Sequence, residues 1–578
     1  MYKNLVVYLI NYKLTLMKTD HLIKYMLVIL LIFSEKSGMC IQNSPFFNVV
    51  DYGAAGDNKI LNTNFIQSAI NACEKAGGGT VFFPSGTYLS GSLEVFSNIT
   101  LHLDAGASIK GSPNLSDYKN MGRTSEQRST SLIYGINVSN VAITGYGSID
   151  GNDSAFVDWD VVLPECCYDP EYARQGKNYQ SAFPDGPAAI KNHGSRPGIL
   201  ITFIESSNIL MRDVTIKNAP NWCVHLACCD RVEITGVDFL NSLLVPNADA
   251  IDISNSKNVN ISDCIIIAGD DGIAISPCAD GFCKSETENV NVSNCTITSR
   301  SSGIRIGWAA KNIHNCTFQN LVIYSNRGIG IFSKENEDIE DLLFDNIIIN
   351  TRLHYGWWGS GEPIHISEIP LGAWNGVEQD IKNHGVIKNI RFSNINIISE
   401  SCLLIYGYYP NSIQNIDFIN IHHYFKSSPY GLTRGGNFEL RPAFDNKYAV
   451  FKHDIPAFYA KNVSGLTISK YDLACDNDLP DFCTNGIFCE DFSNFKIDGF
   501  SGTKLNPGND YAVIQLKNGT NATVKDCTAK PGTNVFLEIE NIKDNSFFMN
   551  NDLREAKTAI SPSTGMNLFK CINNLEAK

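Results

Sequence analysis

A short pattern recurs along the chain and constrains its fold more than any other feature. Each copy places a polar residue, usually Asn, before Val or Ile, and continues with alternating residues, a turn and another apolar run. The apolar positions Val232, Val259, Val290, Ile313 and Ile339 are separated by 27, 31, 23 and 26 residues. Copies occur at 140–145, 208–216, 231–239, 258–266, 289–297, 312–318, 338–347, 389–395, 412–418 and 462–468. A period mostly in the twenties, without helical spacing, predicts an all-β single-stranded parallel β-helix, a solenoid whose coils bury their cores by stacking.

One short amphipathic helix is predicted before the first coils. Phe65, Ile66, Ala69, Ile70 and Cys73 fall at helical spacing, with Thr63 as the expected N-cap and glycines at 77–79 ending the helix. A helix in this place is suited to cap the open N-terminal end of the solenoid, because an uncovered sheet edge invites aggregation.

The N-terminal segment predicts export. An apolar run at 25–33 follows Lys18, His21 and Lys24 and is too short to span a bilayer, which is typical of a secretory signal peptide. We therefore divide the chain into a targeting segment at 1–40, a β-helix domain at 44–545 and a C-terminal tail or cap at 546–578. The expected location is secreted, cell-surface or periplasmic, with Cys40 as a candidate lipid anchor.

Composition narrows the choice of partners. The net charge of −14 without a basic cluster excludes a nucleic-acid binder and requires local Arg or Lys for any anionic substrate. The 18 cysteines are compatible with disulfides in an exported protein, and none has the Cys and His spacing of a zinc site. We expect a monomer without a cofactor or a bound metal.

Three carboxylates are the candidate catalytic groups. Asp249, Asp270 and Asp271 each lie in a run of apolar or small residues, and Asp249 precedes Asp270 by 21 positions, about one coil. Adjacent coils lie about 4.8 Å apart, so the spacing predicts a carboxylate cluster on one face. Aspartates are also common in β-solenoid turns, so the pair at 270–271 alone would suggest a structural role. Glycoside hydrolysis needs such a cluster, because one carboxyl donates a proton and another activates water. Asp252, one alternation away on the same strand, is the expected supporting residue.

Two segments interrupt the repeat. Residues 153–195 are rich in Pro, Tyr, Asp and Cys, and the loop at 355–363 carries Trp357 and Trp358. Long loops on a rigid scaffold commonly form the walls of a cleft. We expect the two tryptophans to stack on sugar rings or to pack the loop down, and the two segments to close one end of the cleft, which favours exo action.

Several motifs together resemble one enzyme family. The chain has an opening segment at 49–53, a Gly-Gly-Gly-Thr-Val-Phe-Phe-Pro run at 77–84, Arg196-Pro197 and Asn221-Trp222. Asn247-Ala-Asp249 and Gly269-Asp-Asp271 follow. Together they resemble glycoside hydrolase family 28, the polygalacturonase-like pectin hydrolases. The resemblance implies a right-handed β-helix and hydrolysis of an α-glycosidic bond with inversion. It also implies that Asp270 is the general acid and that Asp249 and Asp271 hold and deprotonate the attacking water.

The departures from the family pattern suggest a divergent member. Ser302 stands where the family usually has His, and the Arg-Ile-Lys that grips the galacturonate carboxylate is absent near 328–332. Arg305 and Arg327 lie nearby and are either substitutes for it or solvated solenoid arginines. The expected substrate-binding residues are Asn247, Ser302, Arg305, Arg327, Trp357 and Trp358. The expected substrate is a pectic chain, galacturonan or rhamnogalacturonan.

Two other classes remain compatible with the sequence. A β-helix polysaccharide lyase or epimerase would abstract a proton with a basic group, for which Arg305 is the candidate, often with Ca²⁺ on the uronate. A non-catalytic carbohydrate-binding solenoid would explain the missing His but not the three aspartates.

Overall fold

The computed structural model describes residues 45–576 apart from 126–127, 158–195, 244, 278–282, 284, 309–310, 335, 354–358, 371–383, 430–453, 509, 544–545 and 565–568. The chain forms two compact units, Met1–Phe46 and Phe47–Lys578. The first unit contains the predicted targeting segment and Cys40, which lie outside the described residues. None of the described helices is long and apolar enough to cross a membrane.

The second unit is built almost entirely of short strands. The strands that precede the predicted catalytic coils are β1 (Phe46–Asn48), β2 (Asp57–Leu61), β3 (Gly79–Phe83), β4 (Gly86–Ser90), β5 (Leu93–Glu94), β6 (Ile99–Leu103), β7 (Ala107–Gly111), β8 (Asn120–Ser125), β9 (Arg128–Ile136), β10 (Ser139–Gly145), β11 (Ser148–Asp150), β12 (Ile199–Ile204), β13 (Ser207–Arg212) and β14 (Thr215–Lys217). The central strands are β15 (Val224–Ala227), β16 (Asp230–Thr235), β17 (Asp238–Leu240), β18 (Ile251–Ser254), β19 (Lys257–Ser262), β20 (Ile265–Ala268), β21 (Ile273–Ile275), β22 (Thr287–Ser293), β23 (Thr296–Ser299), β24 (Ser302–Gly307), β25 (Ile313–Ser325), β26 (Arg327–Ser333), β27 (Ile339–Thr351) and β28 (Ile364–Glu368). The last strands are β29 (Ile387–Ser399), β30 (Leu403–Gly407), β31 (Ile413–Phe425), β32 (Phe458–Lys461), β33 (Val463–Cys475), β34 (Ile487–Gly502), β35 (Ile514–Lys525), β36 (Thr528–Ala529), β37 (Thr533–Glu540), β38 (Ser546–Met549), β39 (Asp552–Leu553), β40 (Ala556–Thr564), β41 (Phe569–Ile572) and β42 (Leu575–Glu576).

The strands stack in parallel, coil upon coil. β15 pairs with β18, β18 with β21, β21 with β24, and β24 with β26, each in parallel register. The predicted parallel β-helix is confirmed. The strands from β38 to β42 continue the same ladders, so the predicted boundary at 545 does not separate two folds.

The recurring asparagines occupy the turns between strands. Asn258 and Asn289 have φ near +55°, which Asn tolerates better than most residues. The side-chain amide of Asn289 donates to Oδ1 of Asn258 in the preceding coil at 3.0 Å. Asn420 donates in the same way to Asn394. These Asn ladders explain why the sequence repeat begins with Asn.

One part of the predicted register is wrong. Ile313 lies opposite Thr287, and Thr317 lies opposite Asn291, so Ile313 is not the equivalent of Val290. The local repeat is therefore 26 residues rather than the 23 read from the sequence. Several apolar residues within one strand satisfy the same pattern, and hydrophobicity alone does not distinguish them.

The predicted helix is present as α1 (Thr63–Lys75) and buries Ile66, Ala69, Ile70 and Cys73. The N-cap is Asn62 rather than the predicted Thr63, because Thr63 is already helical. The Thr63 hydroxyl instead accepts a hydrogen bond from the Gly91 N–H at 2.7 Å, which ties the helix to the first coils.

A ladder of phenylalanines runs through the core. Phe318, Phe344, Phe392 and Phe418 stack with nearly parallel rings whose centroids are 4.7, 4.7 and 4.9 Å apart. Phe344 is fully buried between two of these rings. Leu343, the next residue on β27, is 39% exposed on the outer face.

Phe344→Ala should therefore lower the free energy of unfolding by about 3–5 kcal/mol, because it opens a cavity and breaks two ring contacts. Leu343→Ala, the matched control on the same strand, should change it by less than about 1 kcal/mol. Denaturant titration followed by circular dichroism measures both. Equal effects of the two substitutions would contradict the core assignment.

Candidate active site

The predicted catalytic residues lie on consecutive coils of the same sheet. The Ala250 N–H donates to the Asp271 carbonyl oxygen, and the Gly272 N–H donates to that of Ser302. Asp249, Asp271 and Ser302 therefore occupy the same position in three successive coils. Asp270 lies beside this column, in the turn between β20 and β21.

The three aspartates form a compact, buried cluster. One carboxylate oxygen of each lies within 4.8 Å of those of the other two. Burial raises the pKa of Asp270 well above its ordinary value, and the charges of Asp249 and Asp271 raise it further, against the opposing effect of Arg305. Burial and the two neighbouring charges thus favour the protonated form of Asp270.

Both oxygens of Asp271 are bonded to neighbouring groups. Oδ1 accepts the Ser302 backbone N–H at 3.0 Å, and Oδ2 is paired with the Arg305 guanidinium. Burial opposes the charged form of Arg305, but Asp271, Asp249 and Asp252 outweigh it and raise the Arg305 pKa above its ordinary value. These contacts fix the position of the Asp271 carboxylate.

Asp252 lies close enough to Arg305 for its charge to act on the guanidinium, and its supporting role stays a prediction. Asp252, Ala274 and Arg305 occupy one column of β18, β21 and β24. The small Ala274 between them leaves room for the Arg305 side chain to lie near Asp252, whose charge favours the guanidinium.

Close backbone packing positions the loop that carries Asp249. A Cβ on Gly269 would lie 2.2 Å from the Val245 carbonyl oxygen, so this approach requires glycine. Arg196 donates to the carbonyl oxygens of Pro220 and Pro246 and to Oδ1 of Asn247. Asn247 is thus held at the edge of the cluster by Arg196. A contact between Asn247 and substrate stays a prediction.

A second buried charge cluster follows in the next coils. The Arg327 guanidinium lies 3.4 Å from Oε1 of Glu362, and His365 Nδ1 lies 3.0 Å from the same oxygen. Burial alone would raise the pKa of Glu362, but Arg327 and His365 lower it to about 2. Burial lowers the pKa of His365 to about 4, although Glu362 opposes this effect. At neutral pH the cluster is an Arg–Glu ion pair beside a neutral imidazole.

The predicted substrate-binding residues differ from one another in their burial and in their position relative to the aspartates. Arg305 borders the aspartates and is partly exposed, whereas Ser302 and Arg327 are buried. The Ser302 hydroxyl has no hydrogen-bond partner among the described residues. Trp357 and Trp358 lie outside the described residues, as does most of the 153–195 segment. The role of each in substrate binding stays a prediction.

Sequence reasoning missed the aromatic group beside the site. Half-buried Trp308 directly follows β24, and its ring meets Phe332 edge to face with centroids 6.5 Å apart. Phe332 also contacts His365 edge to face at 5.2 Å, and the Arg327 guanidinium carbon lies 5.1 Å from its ring centroid. Glu362 and His365 were missed too. Successive side chains of β28 face opposite sides of the strand, and this alternation turns His365 away from the core. The same alternation in the sequence could have identified His365 as a candidate site residue.

Comparison with known proteins identifies the family. Residues 73–351 match the profile of glycosyl hydrolases family 28. This segment, slightly less than half of the chain, is a divergent match to glycosyl hydrolase family 28. The chain is 31% identical over 241 residues to a probable polygalacturonase of Vitis vinifera, covering 39% of this chain and 43% of that protein. It is 30% identical over 249 residues to an exo-poly-alpha-D-galacturonosidase of Dickeya chrysanthemi, covering 39% of this chain and 41% of that protein. The chain thus spans less than half the length of these two relatives.

Solved structures agree with the fold. A family 28 exopolygalacturonase of Yersinia enterocolitica superposes with a TM-score of 0.50 at 18% identity, covering 86% of this chain and 78% of that one. A tailspike protein of E. coli bacteriophage HK620 superposes with a TM-score of 0.52 at 11% identity over the same shares. At these identities the likeness concerns the β-helix alone.

Because the pKa of Asp270 is raised, the folded chain should become less stable as the pH rises. Asp270 binds its proton more tightly in the folded chain than in the unfolded chain. Its stabilising contribution is therefore complete below the ordinary pKa of 3.8 and is lost as pH rises. Asp270→Asn should raise the melting temperature at pH 7 by about 1–3 °C, a gain that shrinks towards pH 4. Calorimetry across this range measures it.

Asp263→Asn is the matched control, because Asp263 is exposed on a turn of the same coil and an Asn tolerates its positive φ. Its melting temperature should follow that of the unmodified protein at every pH. A lower melting temperature for Asp270→Asn at pH 7 would contradict the electrostatic description of the cluster.

Proposed function

We propose that this family 28 chain is a secreted, inverting glycoside hydrolase that cleaves α-glycosidic bonds of a pectin-like polysaccharide, galacturonan or rhamnogalacturonan. The carrying observation is that Asp270 is buried against Asp249 and Asp271, a position that raises its pKa well above the ordinary value. This combination supplies a proton donor and a base within one site. The relatives named polygalacturonase and exo-poly-alpha-D-galacturonosidase support the pectic substrate class.

In the proposed reaction, Asp270 protonates the leaving glycosidic oxygen. Asp249 and Asp271 together hold the water that attacks the anomeric carbon, and Asp249 takes a proton from that water. The cluster is tighter than the roughly 6.5–9.5 Å expected between acid and base in inverting enzymes and nearer the roughly 5 Å of retaining ones. We nevertheless favour inversion, because Asp271 has both oxygens engaged and is poorly placed to attack a sugar. Family membership also supports inversion.

Exo action is part of the proposal. In the coils that follow Asp271 and Ser302, the corresponding positions hold the buried Arg327 and Glu362. Because Arg327 and Glu362 occupy these positions, no further sugar would bind there. The row of sugar subsites would therefore end close to the bond that is cleaved. A mixture of product lengths early in digestion would contradict exo action.

A lyase is the second candidate, and the geometry favours it less. Its proton-abstracting group would be Arg305, which is paired with Asp271 and has a pKa raised above its ordinary value. A guanidinium held charged in this way is a poor base.

Asp270→Asn should lower kcat on pectic polymers by about 10²–10⁴-fold, because it removes the proton donor. New reducing ends should form without the ultraviolet absorbance of an unsaturated uronate. Asp263→Asn should retain the activity of the unmodified protein. Absorbance that rises together with the reducing ends would identify a lyase, and an active Asp270→Asn would remove Asp270 from the mechanism.

Arg305→Gln tests the charge coupling separately. The Arg305 charge lowers the pKa of Asp270, so its removal should raise that pKa and move the alkaline limb of the kcat/KM profile to higher pH. The control Arg391→Gln removes an exposed pair with Asp417 and should leave the profile unchanged. An alkaline limb that moves to lower pH would contradict the assignment of that limb to Asp270.

A further inference from the structure

Trp308, which directly follows β24, has an unusual backbone conformation. Its φ is +67°, in the left-handed region. Most of the other described residues with positive φ, apart from glycines, are Asn or Asp, and Trp308 is the only aromatic residue among them. This region is unfavourable for a bulky side chain, whereas Asn tolerates it. Strained residues of this kind persist where their surroundings hold them, and they concentrate at ligand-binding and active sites.

The same turn in an earlier coil shows what the fold alone requires. Ile253, Ile275 and Ile306 are partners in successive coils, so Asn255 and Trp308 occupy the same turn position two coils apart. Asn255 has a φ of +49°. The turn therefore needs a residue that accepts a positive φ, and it does not need an aromatic ring.

The neighbours of Trp308 hold its ring in one orientation. The Trp308 N–H donates to the Phe332 carbonyl oxygen at 2.8 Å, and the Trp308 carbonyl oxygen accepts the Ser276 hydroxyl at 3.3 Å. Nζ of Lys334 lies over the ring, 5.3 Å from its centroid, and the Phe332 ring meets it edge to face. Phe332 and Lys334 are buried, but Trp308 is only half-buried. Part of a firmly held aromatic ring is thus open to solvent.

The ring lies on the face of the sheet that carries the proposed catalytic groups. Gly330 pairs with Arg305, the ion-pair partner of Asp271. The Phe332 ring lies over Gly330, where a Cβ would be 2.6 Å from it. Trp308 packs against that ring and follows Arg305 by three residues, which is about 10 Å along a strand. A sugar placed on Trp308 would therefore lie beyond the sugar that is attacked.

We propose that Trp308 is the stacking residue of a sugar subsite next to the catalytic one, and that its ligand is a galacto-configured pyranose ring of the pectic chain. This inference rests on the proposed hydrolase function and adds a binding residue to it. The axial hydroxyl of such a ring leaves C–H groups on the opposite face, and these pack on an aromatic surface. A platform that is fixed before binding loses little conformational entropy when the sugar arrives, and the strained turn supplies that fixed platform.

Trp308→Asn tests the role of the ring, because it gives the turn the residue type found at Asn255. We expect a melting temperature within about 3 °C of that of the unmodified chain. KM for galacturonic acid oligomers should rise about three- to tenfold with little change in kcat, since the lost contact lies away from the reacting carbon. Trp308→Phe should recover part of the KM, and Tyr146→Ala, which removes a 78% exposed aromatic ring elsewhere, should leave KM unchanged.

A folded Trp308→Asn with an unchanged KM would overturn the inference. An unfolded Trp308→Asn would also overturn it, because the turn itself would then require the ring.

A binding measurement separates this inference from the hydrolase proposal. Galacturonic acid oligomers are titrated into Asp270→Asn and into the double variant Asp270→Asn/Trp308→Asn, with tryptophan fluorescence and calorimetry as readouts. We expect a fluorescence change that is lost in the double variant, together with a Kd raised about three- to tenfold. Equal responses of the two variants would overturn the role of Trp308 and leave the hydrolase intact. Binding that depends on Trp308, without hydrolysis by the unmodified chain, would contradict the hydrolase alone, and no binding to either variant would contradict both.

Discussion

The site depends on the in-register stacking of parallel coils. Backbone hydrogen bonds fix Asp249, Asp271 and Ser302 at one position of three successive coils, about 4.8 Å apart per coil. The stacking holds Asp249 of one coil beside Asp270 and Asp271 of the next, although their like charges repel. The distances between the carboxylates therefore depend on the hydrogen-bonded stacking of the coils. The stacked phenylalanines and the Asn turns stabilise that stacking.

Electrostatics divide the roles among residues of the same type. Asp271 is held in place by Arg305 and a backbone N–H, and Asp270 is pushed towards its protonated form by burial and by its two neighbours. Arg305 thus has two effects: it stabilises the charge on Asp271 and moderates the pKa of Asp270.

Repeat spacing predicted the β-helix, the helical spacing of apolar residues predicted α1, and the Asn-Ala-Asp and Gly-Asp-Asp motifs predicted the aspartate cluster. Local register was not predictable at Ile313, because several apolar positions of one strand satisfy the same pattern. The ion pairs were also out of reach, since Arg327 and Glu362 are far apart in sequence and meet only through coil stacking. Arg305 and Arg327 look like available cations in the sequence, and only the folded chain shows each of them beside a carboxylate.

The central claim is that water, and not Asp249 or Asp271, attacks the anomeric carbon while Asp270 donates a proton. Proton magnetic resonance of the first product formed from an α-linked pectic oligomer tests this most directly, since the anomeric signal is read before mutarotation. The account predicts that the β-anomer appears first and the α-anomer follows. An α-anomer that appears first would mean retention through a covalent intermediate and would contradict the account.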